Sequence, residues 1–201
     1  MRMCISLAGR HARFDKSCAL APSIEIAPGP MNDAPLPRLT LVLGGARSGK
    51  SRHAEALITH AAPPWTYIAT AEALDEEMRD RIAHHRVRRD ARWHTVDAPL
   101  DLASAIAGLA GPALIDCLTL WLSNVMLAER DVEAESERLL AALAAAPGPL
   151  VVVSNEVGLG LVPETPLGRA FRDAQGRLNQ RVAAAADRVI FMAAGLPLSL
   201  K

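Results

Sequence analysis

The feature that most constrains this chain is an eight-residue loop, GGARSGKS, at residues 44–51. It follows a short apolar run, LTLVLGG, at 39–45, and precedes a segment with helical spacing, KSRHAEALITHAA, at 50–62. The loop fits the pattern G-x-x-x-x-G-K-[ST], which cradles phosphate when it connects a strand to a helix. The sequence therefore predicts a strand, a phosphate loop and a helix, in that order.

Each part of this loop has a physical role in holding a nucleotide. Glycines let backbone N–H groups turn inward around phosphate oxygens, and the positive end of the following helix adds to the attraction. Lys50 reaches the terminal phosphates, and Ser51 offers a hydroxyl to Mg²⁺. The alternative is a strand-to-helix turn that matches the motif by chance, and the matching context argues against it. The nucleotide-binding candidates in the loop are Gly44, Gly45, Ala46, Arg47, Ser48, Gly49, Lys50 and Ser51.

The rest of the chain alternates between strand-like and helical segments. The strand-like runs lie at 65–70, 93–97, 112–117, 149–155 and 188–194. Helical stretches separate nearly all of them, at 73–90, 99–110, 118–128, 131–146 and 167–186. This alternation predicts a P-loop NTPase-like α/β fold with a mainly parallel sheet flanked by helices. A last run, LPLSL at 196–200, is expected to add a short antiparallel edge strand.

The composition supports this fold and excludes several other classes. Hydrophobic residues make up 50% of the chain but aromatic residues only 3%, so the core must consist mainly of Ala, Leu, Val and Ile. Lys plus Arg equals Asp plus Glu at 22 each, so no global charge favours nucleic acid as a partner. No apolar run reaches the roughly 18 residues needed for a membrane span.

The cysteines indicate the cellular compartment. Cys4, Cys18 and Cys117 are odd in number and lack C-x-x-C spacing, which argues against a disulfide framework and against a zinc site. We therefore expect a cytoplasmic protein. In residues 1–36, prolines and small residues block regular elements, so we expect either a disordered tail or a start assigned before Met31. Residues 37–201 are expected to form a single nucleotide-binding catalytic domain.

Asp116 ends the apolar run ALID and is the candidate acid of the nucleotide site. A nucleotide with Mg²⁺ needs a carboxylate at the end of a strand near the phosphate loop. The alternative role for Asp116 is to cap the helix that starts near Leu118. We favour contact with the metal or the nucleotide.

Two adjacent histidines, His84 and His85, fall in the predicted helix at 73–90. His84 shares its side of that helix with acidic residues, which indicates a solvated, acid-paired histidine. His85 has Arg81 four residues before it and Arg88 three residues after it on the same side. These cations favour a neutral, nucleophilic imidazole, and they could also hold a phosphate. A structural histidine facing the sheet is the alternative, and spacing alone favours it.

Taken together, these segments resemble the bifunctional adenosylcobinamide kinase / adenosylcobinamide-phosphate guanylyltransferase family of cobalamin biosynthesis. The resemblance runs over residues 39–201 and rests on LGGARSGKS, DEEMRDRIAHHRVRR, WHTVDAP, LIDCLTLWLSN and VVVSNEVGLGLVPETP. It implies that ATP or GTP phosphorylates the aminopropanol hydroxyl of adenosylcobinamide. GMP from GTP then passes through a covalent histidine to give adenosylcobinamide-GDP and pyrophosphate.

The resemblance also implies roles for particular residues. The nucleophile falls on His85, which joins Lys50 as a catalytic candidate, while Ser51 and Asp116 would hold Mg²⁺. The loop after the strand at 149–155 would contact the corrinoid or the nucleotide. Family members resemble trimers, which implies a homo-oligomer. Beyond the phosphate loop, the implied nucleotide contacts are Ala69, Thr70, Ala71, Arg86, Val87, Arg88, Arg89, Asp97 and Asp116.

Two other functions remain open from the residues alone. A regulatory P-loop GTPase would normally carry the guanine-reading motif N-K-x-D, and the sequence has none. A small-molecule kinase would keep the phosphate loop but use no covalent histidine. Labelling with α-labelled GTP would distinguish both from the bifunctional enzyme.

Overall fold

The computed structural model describes residues 35–72 and 90–201. The strands within these ranges are β1 Leu39–Gly44, β2 Trp65–Ala69, β3 Trp93–Asp97, β4 Ala113–Asp116, β5 Leu150–Asn155, β6 Arg188–Ala193 and β7 Leu196–Ser199. The helices are α1 Lys50–Ile58, α2 Leu102–Ala107, α3 Leu118–Leu127, α4 Val132–Ala145 and α5 Pro166–Ala185.

These strands form one sheet in the order β3-β2-β4-β5-β1-β6-β7. The first six strands of that order are parallel, and β7 pairs with β6 in the antiparallel direction. The predictions of a mainly parallel sheet and of an antiparallel edge strand are therefore confirmed. Strand β1 lies between β5 and β6, so both of its edges are paired. Helices α1 and α5 contact it as well, and all six of its residues are buried.

The predicted elements that fall within the described residues are present, but several end earlier than their patterns. Helix α1 stops at Ile58, although helical spacing continues to residue 62, and the prolines at 63 and 64 prevent the helix from resuming there. Helix α2 spans only Leu102–Ala107 of the predicted 99–110, with Asp101 before it and Gly108 after it. The predicted helix at 73–90 lies almost entirely outside the described residues. Most of the expected tail at 1–36 lies outside them as well.

The sheet has two faces with different partners. One face packs on α3, α4 and α5 through a core that includes Leu41, Ile115, Leu122 and Val152. The other face packs on α1, which contacts β1, β4 and β5. Because side chains alternate along a strand, each strand contributes residues to both layers. No helix among the described residues is long and apolar enough to cross a membrane.

A network of buried polar side chains joins α5 to the end of β5. Ser154 Oγ donates to Asn179 Oδ1 at 2.7 Å, and Gln175 Nε2 donates to the same oxygen at 2.9 Å. Asn179 Nδ2 in turn donates to the Asn155 carbonyl at 3.0 Å. Thr119 Oγ1 of α3 lies 3.5 Å from Ser154 Oγ and completes the network. Buried polar groups cost stability unless they are paired, so this network depends on every member.

Cys117 directly follows β4 and is a free, buried thiol. Burial raises the pKa of this thiol to about 11, and the negative charge of Asp116 acts in the same direction. The thiolate is the reactive form of cysteine, so Cys117 is expected to be chemically inert near neutral pH.

We expect Asn179→Ala to destabilise the fold. The change removes the acceptor for Ser154 and Gln175 and the donor for the Asn155 carbonyl, so unfolding should become easier by about 2–4 kcal/mol. Urea unfolding followed by circular dichroism measures this change. Gln180→Ala is the matched control, because Gln180 is exposed on the same helix and should change stability by less than about 0.5 kcal/mol. Equal effects of the two variants would contradict the role of the network.

We also expect Cys117 to resist thiol reagents in the native protein. In a Cys4→Ser/Cys18→Ser variant it is the remaining thiol, and with a pKa of about 11 only about one molecule in a thousand is ionised at pH 8. A disulfide-exchange dye should therefore react only after urea is added. Complete reaction of the folded protein within minutes would show that the thiol is accessible.

Candidate active site

The phosphate loop begins at the carboxyl end of β1, where Gly44 is closely surrounded. A Cβ atom at Gly44 would lie 2.6 Å from Ser48 Oγ and 2.7 Å from the Met192 carbonyl. No side chain fits there, so the chain can turn at this point only with glycine. At the other end of the loop, Gly49 is the N-cap of α1 and has a φ of 93°, which glycine adopts without steric cost.

Two contacts hold the loop in its curved form. Lys50 Nζ donates to the Gly45 carbonyl at 2.9 Å, so the lysine side chain lies along the inside of the loop. The Gly195 N–H donates to the Ser48 carbonyl at 3.0 Å. Gly195 belongs to the tight turn between β6 and β7, where Ala194 also has a positive φ, as two-residue hairpin turns require. The hairpin formed by β6 and β7 therefore supports the phosphate loop at Ser48.

Asp116 lies beside the start of α1. Ser51 Oγ donates to Asp116 Oδ1 at 3.4 Å, and the Tyr67 hydroxyl donates to Asp116 Oδ2 at 2.9 Å. Helix α3 has Cys117 at its N-cap position and no side-chain cap. The carboxylate of Asp116 therefore points to the phosphate-loop side of the sheet. Asp116 therefore does not cap α3, which was its alternative role.

Tyr67 is a site residue that sequence reasoning missed. It lies on β2, its hydroxyl bonds to Asp116, and its ring meets Trp93 edge-on at a centroid distance of 6.4 Å. The ring contact and the hydrogen bond together fix the orientation of the carboxylate. A pattern within one strand gives no signal for such a partner, because Tyr67 and Asp116 are 49 residues apart.

The pair formed by Ser51 and Asp116 suits a magnesium ion. Mg²⁺ binds hard oxygen ligands, and it usually takes one or two from the protein and the rest from phosphates and water. A hydroxyl and a carboxylate within 3.4 Å of each other provide such a partial set. Among the described residues, no group of three or more His, Cys, Asp and Glu side chains lies close enough to form a site of its own.

The other predicted contacts lie farther along the same edge of the sheet. Ala69, Asp97 and Asp116 are neighbours in register at the ends of β2, β3 and β4. Because β3 is four strands from β1, Asp97 starts about 19 Å from the loop. The structure thus brings Asp116 to the phosphate loop and leaves Asp97 at the far edge.

Thr70 is fully buried, and its polar groups are all used within the protein. Its hydroxyl accepts from the Cys117 N–H at 2.8 Å and donates to the Cys117 carbonyl at 2.7 Å. Its carbonyl accepts from Asn124 Nδ2 at 2.8 Å, and its N–H donates to the Asp116 carbonyl at 3.2 Å. Thr70 therefore joins the ends of β2 and β4, and its neighbours Ala69 and Ala71 are the more accessible candidates for nucleotide contact.

The predicted nucleophile and its basic neighbours lie outside the described residues. These are His85, Arg86, Val87, Arg88 and Arg89, all within 73–89. Their roles stay predictions from the sequence and the family resemblance.

The end of β5 lies closer to the phosphate loop than β4 does. Asn155 is in register with Gly44, and the next N–H along, that of Glu156, donates to the Gly44 carbonyl at 3.2 Å. The Asn155 N–H donates to Thr119 Oγ1 at 2.8 Å, so α3 and α5 hold this strand end between them. The segment after β5, which the sequence predicts to contact a ligand, therefore begins directly beside the phosphate loop.

Similarity to known proteins agrees with the fold. The ATPase EscN from the type III secretion system of enteropathogenic E. coli aligns with a TM-score of 0.50 at 13% identity, over 81% of this chain and 48% of EscN. At this low identity the likeness concerns the fold alone, which is that of P-loop ATPases.

Two curated proteins are much more similar in sequence. The bifunctional adenosylcobalamin biosynthesis protein CobP of Pseudomonas aeruginosa is 48% identical over 166 residues, covering 80% of this chain and 96% of CobP. The bifunctional adenosylcobalamin biosynthesis protein CobU of Salmonella typhimurium is 43% identical over 181 residues, covering 81% of this chain and 99% of CobU. The family model described as cobinamide kinase / cobinamide phosphate guanyltransferase matches residues 40–200. The chain therefore belongs to the cobinamide kinase / cobinamide phosphate guanyltransferase family.

Proposed function

We propose that this protein phosphorylates the aminopropanol hydroxyl of adenosylcobinamide with ATP or GTP and then transfers GMP from GTP to the product. The final products are adenosylcobinamide-GDP and pyrophosphate. The observation that carries the proposal is the contact between Ser51 and Asp116 at the mouth of a phosphate loop that contains Lys50. Family membership supplies the substrate class.

In the kinase step the chain has to hold the nucleotide and stabilise the charge that develops on the transferring phosphoryl group. Backbone N–H groups of the phosphate loop and the amino end of α1 would face the bound phosphates, and Lys50 provides a positive charge inside the loop. Ser51 and Asp116 would hold Mg²⁺, which when bound helps to neutralise negative charge on the phosphates. Tyr67 keeps the Asp116 carboxylate oriented toward that position.

In the transfer step an imidazole nitrogen of His85 attacks the α-phosphorus of GTP. A phosphorus–nitrogen bond forms, the bond from the α-phosphorus to its bridging oxygen breaks, and pyrophosphate leaves. A phosphate oxygen of adenosylcobinamide phosphate then attacks the same phosphorus, and the phosphorus–nitrogen bond breaks. His85 is thereby restored, and Arg86, Arg88 and Arg89 are the nearby cations in sequence that would stabilise the transferred group.

We expect His85→Ala to abolish covalent labelling by GTP. Incubation of the native protein with α-labelled GTP and Mg²⁺ should give a protein-bound label that is lost in acid and stable in base, as for a phosphoramidate. Radiolabel retained after denaturing electrophoresis measures the adduct. His84→Ala is the matched control and should label like the native protein, because it leaves the proposed nucleophile His85 in place. Normal labelling of His85→Ala would show that another residue forms the bond.

We expect Lys50→Ala to lower the kinase turnover by about 100-fold or more, because it removes the positive charge inside the loop that would contact the terminal phosphates. Corrinoid phosphorylation measured with ATP tests this. Arg52→Ala is the matched control, since Arg52 is an exposed cation two residues further along α1 and should leave turnover unchanged within about twofold. Equal turnover in Lys50→Ala and the native enzyme would rule out a role for Lys50 in the kinase step.

A further inference from the structure

Glu156 is a second acidic residue beside the phosphate loop. It follows β5 directly, and its N–H donates to the Gly44 carbonyl at 3.2 Å. Gly44 is the first residue of the loop, so this hydrogen bond places the backbone of Glu156 against the point where the loop begins. Asp116 is one strand further away, because β4 pairs with the other edge of β5.

The backbone that leads into Glu156 is held on both sides. The Asn155 N–H donates to Thr119 Oγ1 at 2.8 Å, and the Asn155 carbonyl accepts from Asn179 Nδ2 at 3.0 Å. Thr119 and Asn179 are buried members of the network that links α3, α5 and β5. A group that reacts with substrate needs supports of this kind, because small displacements of the group reduce the rate strongly.

The Glu156 carboxylate is only partly engaged by the protein. Its Oε1 accepts from the Gly158 N–H at 2.8 Å, and its Oε2 accepts no hydrogen bond from residues 35–72 or 90–201. Both oxygens of Asp116, in contrast, accept from hydroxyl groups, and Oδ1 lies beside Ser51 where Mg²⁺ would bind. The position of Asp116 therefore suits it to hold Mg²⁺. The proton of the attacking hydroxyl needs another acceptor.

The remaining acids at this edge of the sheet are farther away. Glu72 follows β2 and Asp97 ends β3, which are three and four strands from β1, or about 14 and 19 Å at the usual strand spacing. Among the described acids at the carboxyl edge, Glu156 is the one whose backbone contacts the phosphate loop.

The residues after Glu156 form an apolar surface. Leu159 is 79% exposed, Leu161 is 97% exposed and Val162 is 66% exposed. Large apolar side chains grouped in one exposed loop are typical of a surface that binds a ligand. This exposed apolar loop, which follows Glu156 directly, suits a large substrate with apolar surface.

We propose that Glu156 is the general base of the kinase step, a role that rests on the function proposed above. The carboxylate takes the proton of the attacking hydroxyl as the hydroxyl oxygen bonds to the γ-phosphorus. The bond from the γ-phosphorus to the β–γ bridging oxygen breaks, and the nucleoside diphosphate leaves. The proton then passes from Glu156 to solvent, which restores the carboxylate.

Glu156→Gln tests this role with little change in shape. The glutamine carbonyl can still accept from the Gly158 N–H, but the side chain can no longer take a proton. We expect the kinase kcat to fall about 100-fold while KM for ATP changes by less than about threefold. Covalent labelling by α-labelled GTP should equal that of the native protein, because it does not use the corrinoid hydroxyl.

Glu129→Gln is the control, since Glu129 is an exposed acid that follows α3, outside the loop after β5, and its loss should leave both activities unchanged. Glu156→Ala with added formate is a second test, because a small carboxylate should restore part of the lost kinase rate. Kinase activity of Glu156→Gln within about threefold of the native rate would overturn the proposal. So would a parallel loss of GTP labelling, because it would indicate a structural role.

These outcomes are separate from a failure of the proposed function. If the native protein did not phosphorylate the corrinoid at all, the kinase assignment itself would be wrong, and this would be apparent before any variant was compared.

Discussion

The geometry of the site depends on the absence of a side chain at Gly44. A Cβ there would overlap the Met192 carbonyl on β6 and the hydroxyl of Ser48, so only glycine lets the backbone turn back between β5 and β6. The carbonyl of the same residue accepts from Glu156, and the curved segment after it carries Lys50 and Ser51 to α1. One position thus couples the central strand, the phosphate loop and the end of β5.

The two faces of the sheet have different tasks. On the α1 face, Asp116 accepts from Tyr67 of the adjacent strand and from Ser51 of α1, so hydroxyl groups from two further elements converge on one carboxylate. On the opposite face, α3 and α5 cover the apolar core and bring the buried polar network under the end of β5. Burying these polar groups costs free energy, and the network takes no direct part in the reaction. Its contribution is to fix a strand end that adjoins the phosphate loop.

The sequence predicted what depends on near neighbours in the chain and missed what depends on distant ones. The strand, loop and helix at 39–58 follow from glycine, lysine and hydroxyl residues at fixed spacing, and the alternation of segments predicted a parallel sheet. No pattern along the chain indicates that Tyr67 reaches Asp116 or that Gly195 supports Ser48. Those contacts exist because the strand order places distant segments side by side, and strand order depends on the packing of the whole domain.

The alternation along β5 has a consequence for how such an enzyme can change over generations. Ser154 lies in the network that stabilises the fold, whereas the residues directly after it lie beside the phosphate loop. A substitution at Ser154 should therefore affect mainly the stability of the fold, whereas one from residue 156 onward changes the surface beside the phosphate loop. New specificities could arise through the segment from 156 to 162 while the layer beneath remains intact, so the supporting framework and the reacting surface can evolve separately.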